Sequence, residues 1–370
     1  MTELIVISKK ENHVGWIMLN RPRVLNSLNA DMVKIIYEQL QEWREDDSVA
    51  LVCISGNGDK GLCAGGDMKR LHDLRNNHVE EEAYQFFSVE YLMDLLIYHY
   101  AKPVLVYMNG IVMGGGVGLS YGASHRIVNE KTKWAMPEMN IGFYPDVGAS
   151  YFLNEMPGNI GKYLALTSQV IRAEDVLYIN AADLFIKSEN WPKLTEEIIR
   201  TSWSGNVQAE LDRLLANYKD PVDPAVSKLA QEEEKINKHF AYETVEEILA
   251  SLEKDAEKGD SWAAKTRKIL LQKAPLSLKV TLQQLEKGKN MTLADSFKME
   301  FALSMNFMNN PDFYEGVRSV LVDKDRNPQW KLSKLEDISK EKVLSYFESK
   351  EEWQNVLEQL DEVPNLAQIK

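Results

Sequence analysis

Hydrophobic and polar positions fall into distinct textures along the chain. At the start, TELIVIS and HVGWIMLN are short runs rich in apolar and β-branched residues joined by KKEN, which predicts a hairpin ending at Asn20-Arg21-Pro22. Met32, Ile35, Ile36, Leu40 and Trp43 then recur at helical spacing and predict a helix over Asn29 to Trp43, with Asn29 or Asp31 able to cap it. VALVCISG reads as a buried strand, followed by the loop NGDKGLCAGGD and a helix beginning near Met68. Residues 80 to 100 read as a long amphipathic helix, ended by Lys102-Pro103. PVLVYMNG and GIVMGGGVGLSYGASHR then repeat the order strand, glycine loop, helix. Two such units predict an α/β core whose loops converge at one end of the strands, where ligands commonly bind.

After about residue 175 the pattern changes. Short strand candidates such as AADLFIK give way to long charged periodic stretches, LTEEIIRTSW, VSKLAQEEEKINKHF and TVEEILASLEKDAEKG, which predict helices with solvated faces. DPVDPAV at residues 220–226 is the best boundary. It divides a core over 1–220 from a mainly helical region over 221–370.

Composition narrows the function classes. A chain of 370 residues with 44% hydrophobic and 27% charged positions is ordinary globular protein. The formal charge of -13 argues against nucleic acid or anionic lipid as a partner. No uncharged apolar run reaches the roughly 18 residues of a membrane span, and MTELIVISKKENHVG lacks a targeting pattern. Cys53 and Cys63 show no paired spacing and are expected as reduced thiols. The expected location is cytoplasmic and the expected partner a small molecule.

The stretch GGGVGLSYG at 114–122 invites three readings. A dinucleotide turn needs glycines at i, i+2 and i+5, but Leu119 or Tyr121 takes the third place, and no GK[ST] follows for a phosphate loop. Gly118-Leu119-Ser120-Tyr121-Gly122 fits the nucleophile elbow formally, with Asp146 and His239 in triad order. Ser120, however, should already lie inside the helix, and His239 sits in the charged stretch KINKHF. Gly118, Ser120 and Gly122 more simply permit close helix packing. The six histidines are scattered without ligand spacing, so no metal site is expected. The third reading uses both glycine loops: backbone N–H groups at a strand-to-helix turn have no intrahelical partner and would polarise a thioester carbonyl.

GLCAGGD (61–67), NGIVMGGGVGLS (109–120) and MPEMNIGFYPDVG (136–148) resemble, in order and spacing, the enoyl-CoA hydratase/isomerase (crotonase) superfamily. The resemblance implies a repeated ββα spiral core carrying a helical C-terminal region. It places the two oxyanion-hole N–H groups at Gly66 and Gly115, and puts Leu62 and Ala64 at the adenine pocket. Hydratases carry a glutamate three positions after the middle glycine; here that position is Gly118. The second family glutamate is retained as Glu138, and Asp146 stands where hydratases have glycine.

That exchange resembles the 3-hydroxyisobutyryl-CoA hydrolase branch, with Glu90 at a substrate-contacting position and DFYEGVRSVLVDKDRNPQW (312–330) similar to its C-terminal segment. The branch implies hydrolysis of a 3-hydroxyacyl-CoA thioester in valine catabolism, with Glu138 as nucleophile or general base and Asp146 holding the β-hydroxyl. Coenzyme A is then part of the substrate and no separate cofactor is expected. Lys324 or Arg23 is a candidate for the CoA phosphates. Glu90 also reads as a solvated helix glutamate, and Asp146 as a cap after Pro145. An enoyl-CoA hydratase or isomerase, and a CoA-binding scaffold without turnover, are the competing readings. The superfamily often forms trimers, so a homo-oligomer stays open.

Overall fold

The computed structural model describes residues 4–366. Its first elements are strands β1 (Val6–Glu11) and β2 (Val14–Leu19), an antiparallel hairpin in register from Val6 opposite Leu19 to Glu11 opposite Val14. The KKEN connection is therefore mostly strand, and the turn is Asn12-His13, both at positive φ as a two-residue hairpin loop requires. Lys9 and Lys10 extend β1 because it is an edge strand, where charged side chains reach water. Helix α1 (Ala30–Glu45) follows, with Asn29 accepting from the Met32 N–H as its cap.

Three ββα units build the core. The first strand of each, β3 (Leu51–Gly56), β5 (Val104–Met108) and β7 (His125–Val128), joins a sheet of order β1-β2-β3-β5-β7-β9, parallel beyond the hairpin. The second strand of each, β4 (Gly61–Cys63), β6 (Ile111–Met113) and β8 (Lys133–Ala135), joins a separate parallel sheet of order β4-β6-β8. Strand β9 (Leu184–Phe185) closes the larger sheet. Strand β4 lies within NGDKGLCAGGD, a segment whose pattern predicts loop, because a strand of three residues is too short to show an alternation. At Gly110 the chain turns from β5 into β6 with φ 58°, and a Cβ there would stand 2.3 Å from the Lys60 carbonyl oxygen, so only glycine fits.

The units end in helices α2 (Met68–Asp73) and α3 (Val79–Tyr98), then α4 (Gly115–Tyr121), and then α5 (Ala149–Phe152), α6 (Ile160–Thr167) and α7 (Ala173–Tyr178). Helix α3 departs from the amphipathic expectation: Phe86, Phe87, Glu90, Tyr91, Asp94 and Leu95 are all buried. It is enclosed because C-terminal helices cover its second face. Of these, α8 (Trp191–Arg200) and α9 (Val207–Ala216) pack in a second apolar cluster with residues of the large sheet, while α10 (Lys228–Phe240), α11 (Val245–Ala256) and α12 (Ser261–Leu270) join the main one. Helices α13 (Pro275–Gly288), α14 (Leu293–Phe307), α15 (Pro311–Val317), α16 (Lys340–Leu344) and α17 (Gln354–Leu366) return to the core. Tyr91 meets Phe297 with ring centroids 5.3 Å apart, and Tyr84 meets Phe301 edge-on at 5.6 Å.

One apolar cluster runs from Val6 to Val363 and takes in residues on both sides of 220–226. Among the described residues, no helix is long and apolar enough to cross a membrane.

Candidate active site

The glycine loops are brought face to face by the small sheet. Gly66 follows β4, where Leu28 N–H donates to the Gly65 carbonyl (2.9 Å) and Asp67 N–H to the Leu28 carbonyl (2.7 Å). In that parallel bridge the Gly66 N–H points away from Leu28. Asp67 caps α2 and takes Arg21 Nη2 at 2.9 Å, which ties the loop to the Asn20-Arg21-Pro22 turn. Gly115 follows β6 and opens α4, in the first turn where N–H groups lack intrahelical acceptors. A Cβ on Gly115 would stand 3.6 Å from the Gly66 nitrogen and 2.5 Å from Glu90 Oε1. The Gly66 nitrogen and the Glu90 carboxyl thus meet at one point beside the Gly115 Cα.

That point opens on a cavity of about 260 Å³. Ala64, Gly66, Gly115, Glu90, Glu138 and Asp146 are in its wall, together with Met68, Phe143 and Leu321. Glu138 opens the short helical turn Glu138–Ile141, and its Oε1 lies 2.8 Å from where a Cβ on Gly114 would be. Glu90 is 1% exposed, so it is no solvated helix residue. Leu62, the middle residue of β4, is fully buried in the core and its side chain is absent from the cavity wall, leaving Ala64 alone of that pair. Arg23 and Lys324 are exposed and outside the wall.

Asp146 is held by groups that sequence reasoning missed. Tyr91 Oη is 3.0 Å from Asp146 Oδ2 and 2.7 Å from Ser304 Oγ. Val147 and Gly148 follow with φ 54° and 87°, a conformation costly for a β-branched residue. Glu300, on α14, holds this kink by accepting from Gly148 N–H (2.6 Å), Ser150 N–H (2.8 Å) and Ser150 Oγ (2.6 Å). Gln284, on α13, donates to the Pro145 carbonyl at 2.6 Å. The C-terminal helices therefore shape the loop that carries Asp146. The periodicity of α14 marks Glu300 only as one polar position in an apolar stretch, ADSFKMEFALS.

Asp94, one turn beyond Glu90, is a further residue that sequence reasoning missed. It fills the notch beside Gly118: a Cβ there would stand 2.3 Å from Asp94 Oδ2. Both Asp94 oxygens, Glu90 Oε1 and Glu138 Oε2 are buried without a partner among the described residues. Burial raises the pKa of Glu90, Asp94 and Glu138 well above the carboxylate range, and the charge of Asp146 adds to it in all three, with Asp94 and Glu138 adding at Glu90 and Glu300 at Asp94. Burial pushes Asp146 up to about 7 against the Tyr91 contact, and Glu300 up to about 8 against its three donors.

The serine-hydrolase reading does not survive the geometry. Ser120 is inside α4, 1% exposed, with its Oγ donating to the Gly116 and Val117 carbonyls at 3.0 Å. His239, on α10, contacts Ser251 instead. Among the described residues no cluster of three or more His, Cys, Asp or Glu side chains is arranged to hold a metal ion. Cys53 and Cys63 are free and buried.

The enoyl-CoA hydratase/isomerase family model matches residues 14–347. A zebrafish (Danio rerio) protein named 3-hydroxyisobutyryl-CoA hydrolase, mitochondrial, is 39% identical over 94% of this chain and 90% of its own length. The human protein of that name is 38% identical over 93% and 88%. A solved carnitinyl-CoA dehydratase from Mycobacterium thermoresistibile superposes with TM-score 0.87 at 32% identity, covering 94% of this chain and 98% of its own. An enoyl-CoA hydratase from Rhodobacter sphaeroides gives 0.83 at 33%, covering 93% and 97%. The chain belongs to the enoyl-CoA hydratase/isomerase (crotonase) family, in its 3-hydroxyisobutyryl-CoA hydrolase branch.

Proposed function

We propose that this chain hydrolyses a 3-hydroxyacyl-CoA thioester, with 3-hydroxyisobutyryl-CoA giving 3-hydroxyisobutyrate and CoA, the reaction of valine catabolism. The thioester carbonyl oxygen is taken between the Gly66 and Gly115 N–H groups, which stabilise the oxyanion. Glu138 attacks the carbonyl carbon, or removes a proton from the water that does. The C–S bond then breaks, the sulfur leaves with its electron pair and takes up a proton. In the first route water opens the resulting acyl-glutamyl anhydride. Asp146 holds the 3-hydroxyl group, and Glu90 lines the pocket beside Gly115. Coenzyme A belongs to the substrate, and the proposal needs no separate cofactor.

The observation that carries this reading is the exchange of acids. Gly118 carries no side chain, and Asp94 fills the notch beside it, while Asp146 enters the wall with Glu138. Hydratase or isomerase chemistry is the second reading, favoured by Glu138 alone being able to shuttle a proton and by the hydratase and dehydratase structures. A CoA-binding scaffold is the third, and tight CoA binding with no turnover of any acyl-CoA would favour it. We place the reaction in the cytoplasm, a reducing compartment suited to two free thiols; fractionation tests this against the mitochondrial location in the relatives' names.

The direct test is Glu138→Gln. Thiol release from (S)-3-hydroxyisobutyryl-CoA should be lost with the circular dichroism spectrum unchanged. A variant retaining release within a few-fold of the parent would overturn the assignment of Glu138.

A further inference from the structure

Four short oxygen contacts run in a line away from the cavity. Asp146 Oδ2 lies 3.0 Å from Tyr91 Oη, Tyr91 Oη 2.7 Å from Ser304 Oγ, Ser304 Oγ 2.6 Å from Tyr144 Oη, and Tyr144 Oη 2.6 Å from the Glu300 carbonyl oxygen. Tyr91, Tyr144, Ser304 and Glu300 are fully buried and Asp146 nearly so. Oxygens at such separations are hydrogen-bonded only if a proton lies between them. A backbone carbonyl has no proton to give, and each hydroxyl has one. Three hydroxyls therefore satisfy three contacts, and the fourth needs a proton from Asp146.

Changing the direction of the donors does not change the count. If Tyr91 donates to an ionised Asp146 and Tyr144 to the Glu300 carbonyl, Ser304 can serve only one of its two neighbours. The other contact is then two buried oxygens facing each other through lone pairs at 2.6 or 2.7 Å. Such a contact is repulsive, and burial leaves no water to relieve it.

We infer that Asp146 rests as the neutral acid, its proton held on Oδ2 by a directed chain through Tyr91, Ser304 and Tyr144 to the Glu300 carbonyl. Tyr91, Ser304 and Tyr144 are positioning residues. The arrangement leaves Asp146 Oδ1 to accept the O–H of a 3-hydroxyacyl group and removes from beside Glu138 the negative charge that adds to its elevated pKa; this role rests on the hydrolase reading. The titratable groups facing Asp146 are Glu138, Glu90 and Asp94 on α3, Glu300 on α14, and the hydroxyls of Tyr91 and Tyr144. None is cationic, and among them only the Tyr91 hydroxyl, when it donates, favours the charge on Asp146. Burial raises the Asp146 pKa, in the sense of the proton count; a Tyr91 hydroxyl donating to Asp146 would act the other way.

Activity should then fall as pH rises through the ionisation of Asp146. Infrared difference spectroscopy of the whole enzyme reads the protonated carboxyl directly, with Asp146→Asn identifying its C=O band. The band should be present in the parent at neutral pH. Ser304→Ala removes two contacts and frees the Tyr91 proton for an ionised Asp146. The band and the alkaline fall in kcat/KM for thiol release should both move down by about one pH unit. Tyr144→Phe should move them the same way.

A parent enzyme without the band at neutral pH would overturn the inference. So would a band in Ser304→Ala that stays in place or moves up, the result expected if Ser304 were only a polar neighbour of a buried charge. The infrared readout needs no turnover. A band that behaves as expected in a protein releasing no thiol would therefore count against the hydrolase reading alone, not against the proton chain.

Discussion

Gly118→Ala separates two physical effects by sign. Gly118 lies inside α4, where alanine is favoured over glycine by about 1 kcal/mol. With open space around it, the substitution would stabilise the fold. The structure closes that space: the new methyl would stand 2.3 Å from Asp94 Oδ2, 3.0 Å from Asp94 Cγ and 2.8 Å from Val147 Cβ. Contacts of about 3.5–4.0 Å are comfortable, so the overlap is on the order of 1 Å against buried atoms. Overpacking of this kind costs about 1–3 kcal/mol, which leaves a net loss of roughly 1–2 kcal/mol after the helical gain. Asp94→Ala removes the nearest obstruction. Gly118→Ala made in that background should recover at least half of its loss, the Val147 contact remaining. Urea unfolding of the four proteins of this cycle measures the coupling. Stabilisation by Gly118→Ala alone, or an equal cost in both backgrounds, would refute the placement of Asp94 in the notch.

Three other outcomes follow from the same geometry. Gly115→Ala puts a methyl between the two proposed oxyanion donors, and kcat for thiol release should fall about 10²–10³-fold, as loss of one such donor does, measured under saturating substrate. Glu300→Ala leaves the Gly148 and Ser150 N–H groups without their acceptor; urea unfolding should show a loss of roughly 2–4 kcal/mol, with kcat falling more than KM rises because the Asp146 loop relaxes. Stability should also fall from about pH 5 to about pH 8. The folded-state pKa values of Asp146, about 7, and Glu300, about 8, lie above the roughly 4 of an unfolded carboxyl, so the folded chain binds more protons across that window and loses stability as they leave. Surface carboxylates held down by cations, Asp255 and Asp325 at about 2, titrate below this window and leave the sign unchanged. Urea midpoints at the two ends of the range check it.

The sequence disclosed those parts of the protein that are local. Asn29 as a helix cap, the N-terminal hairpin and the glycine turns at 65–66 and 114–116 follow from spacing and backbone preference, which neighbouring residues decide. Glu138 and Asp146 were visible because a short motif holds both. The burial of α3 was not visible, since its second face is covered by α14 and α17, and its polar positions, Glu90 and Asp94, looked like those of a solvated helix. The supports of Asp146 were hidden for the same reason. Tyr91, Ser304 and Glu300 reach partners 55 to 213 residues away in the chain, and nothing in the local pattern of α14 separates a buried acid from an exposed one. Leu62 shows the converse: a motif position does not say which way its side chain turns.

The central claim is that the acid exchange turns a hydratase scaffold to thioester hydrolysis. The ratio of two rates on one preparation tests it: kcat/KM for free-thiol release from (S)-3-hydroxyisobutyryl-CoA against kcat/KM for hydration of crotonyl-CoA. Thiol release should exceed hydration by at least about 10³-fold, the size of effect expected when a positioned acid is missing from hydration chemistry. Hydration at a comparable or greater rate would contradict it.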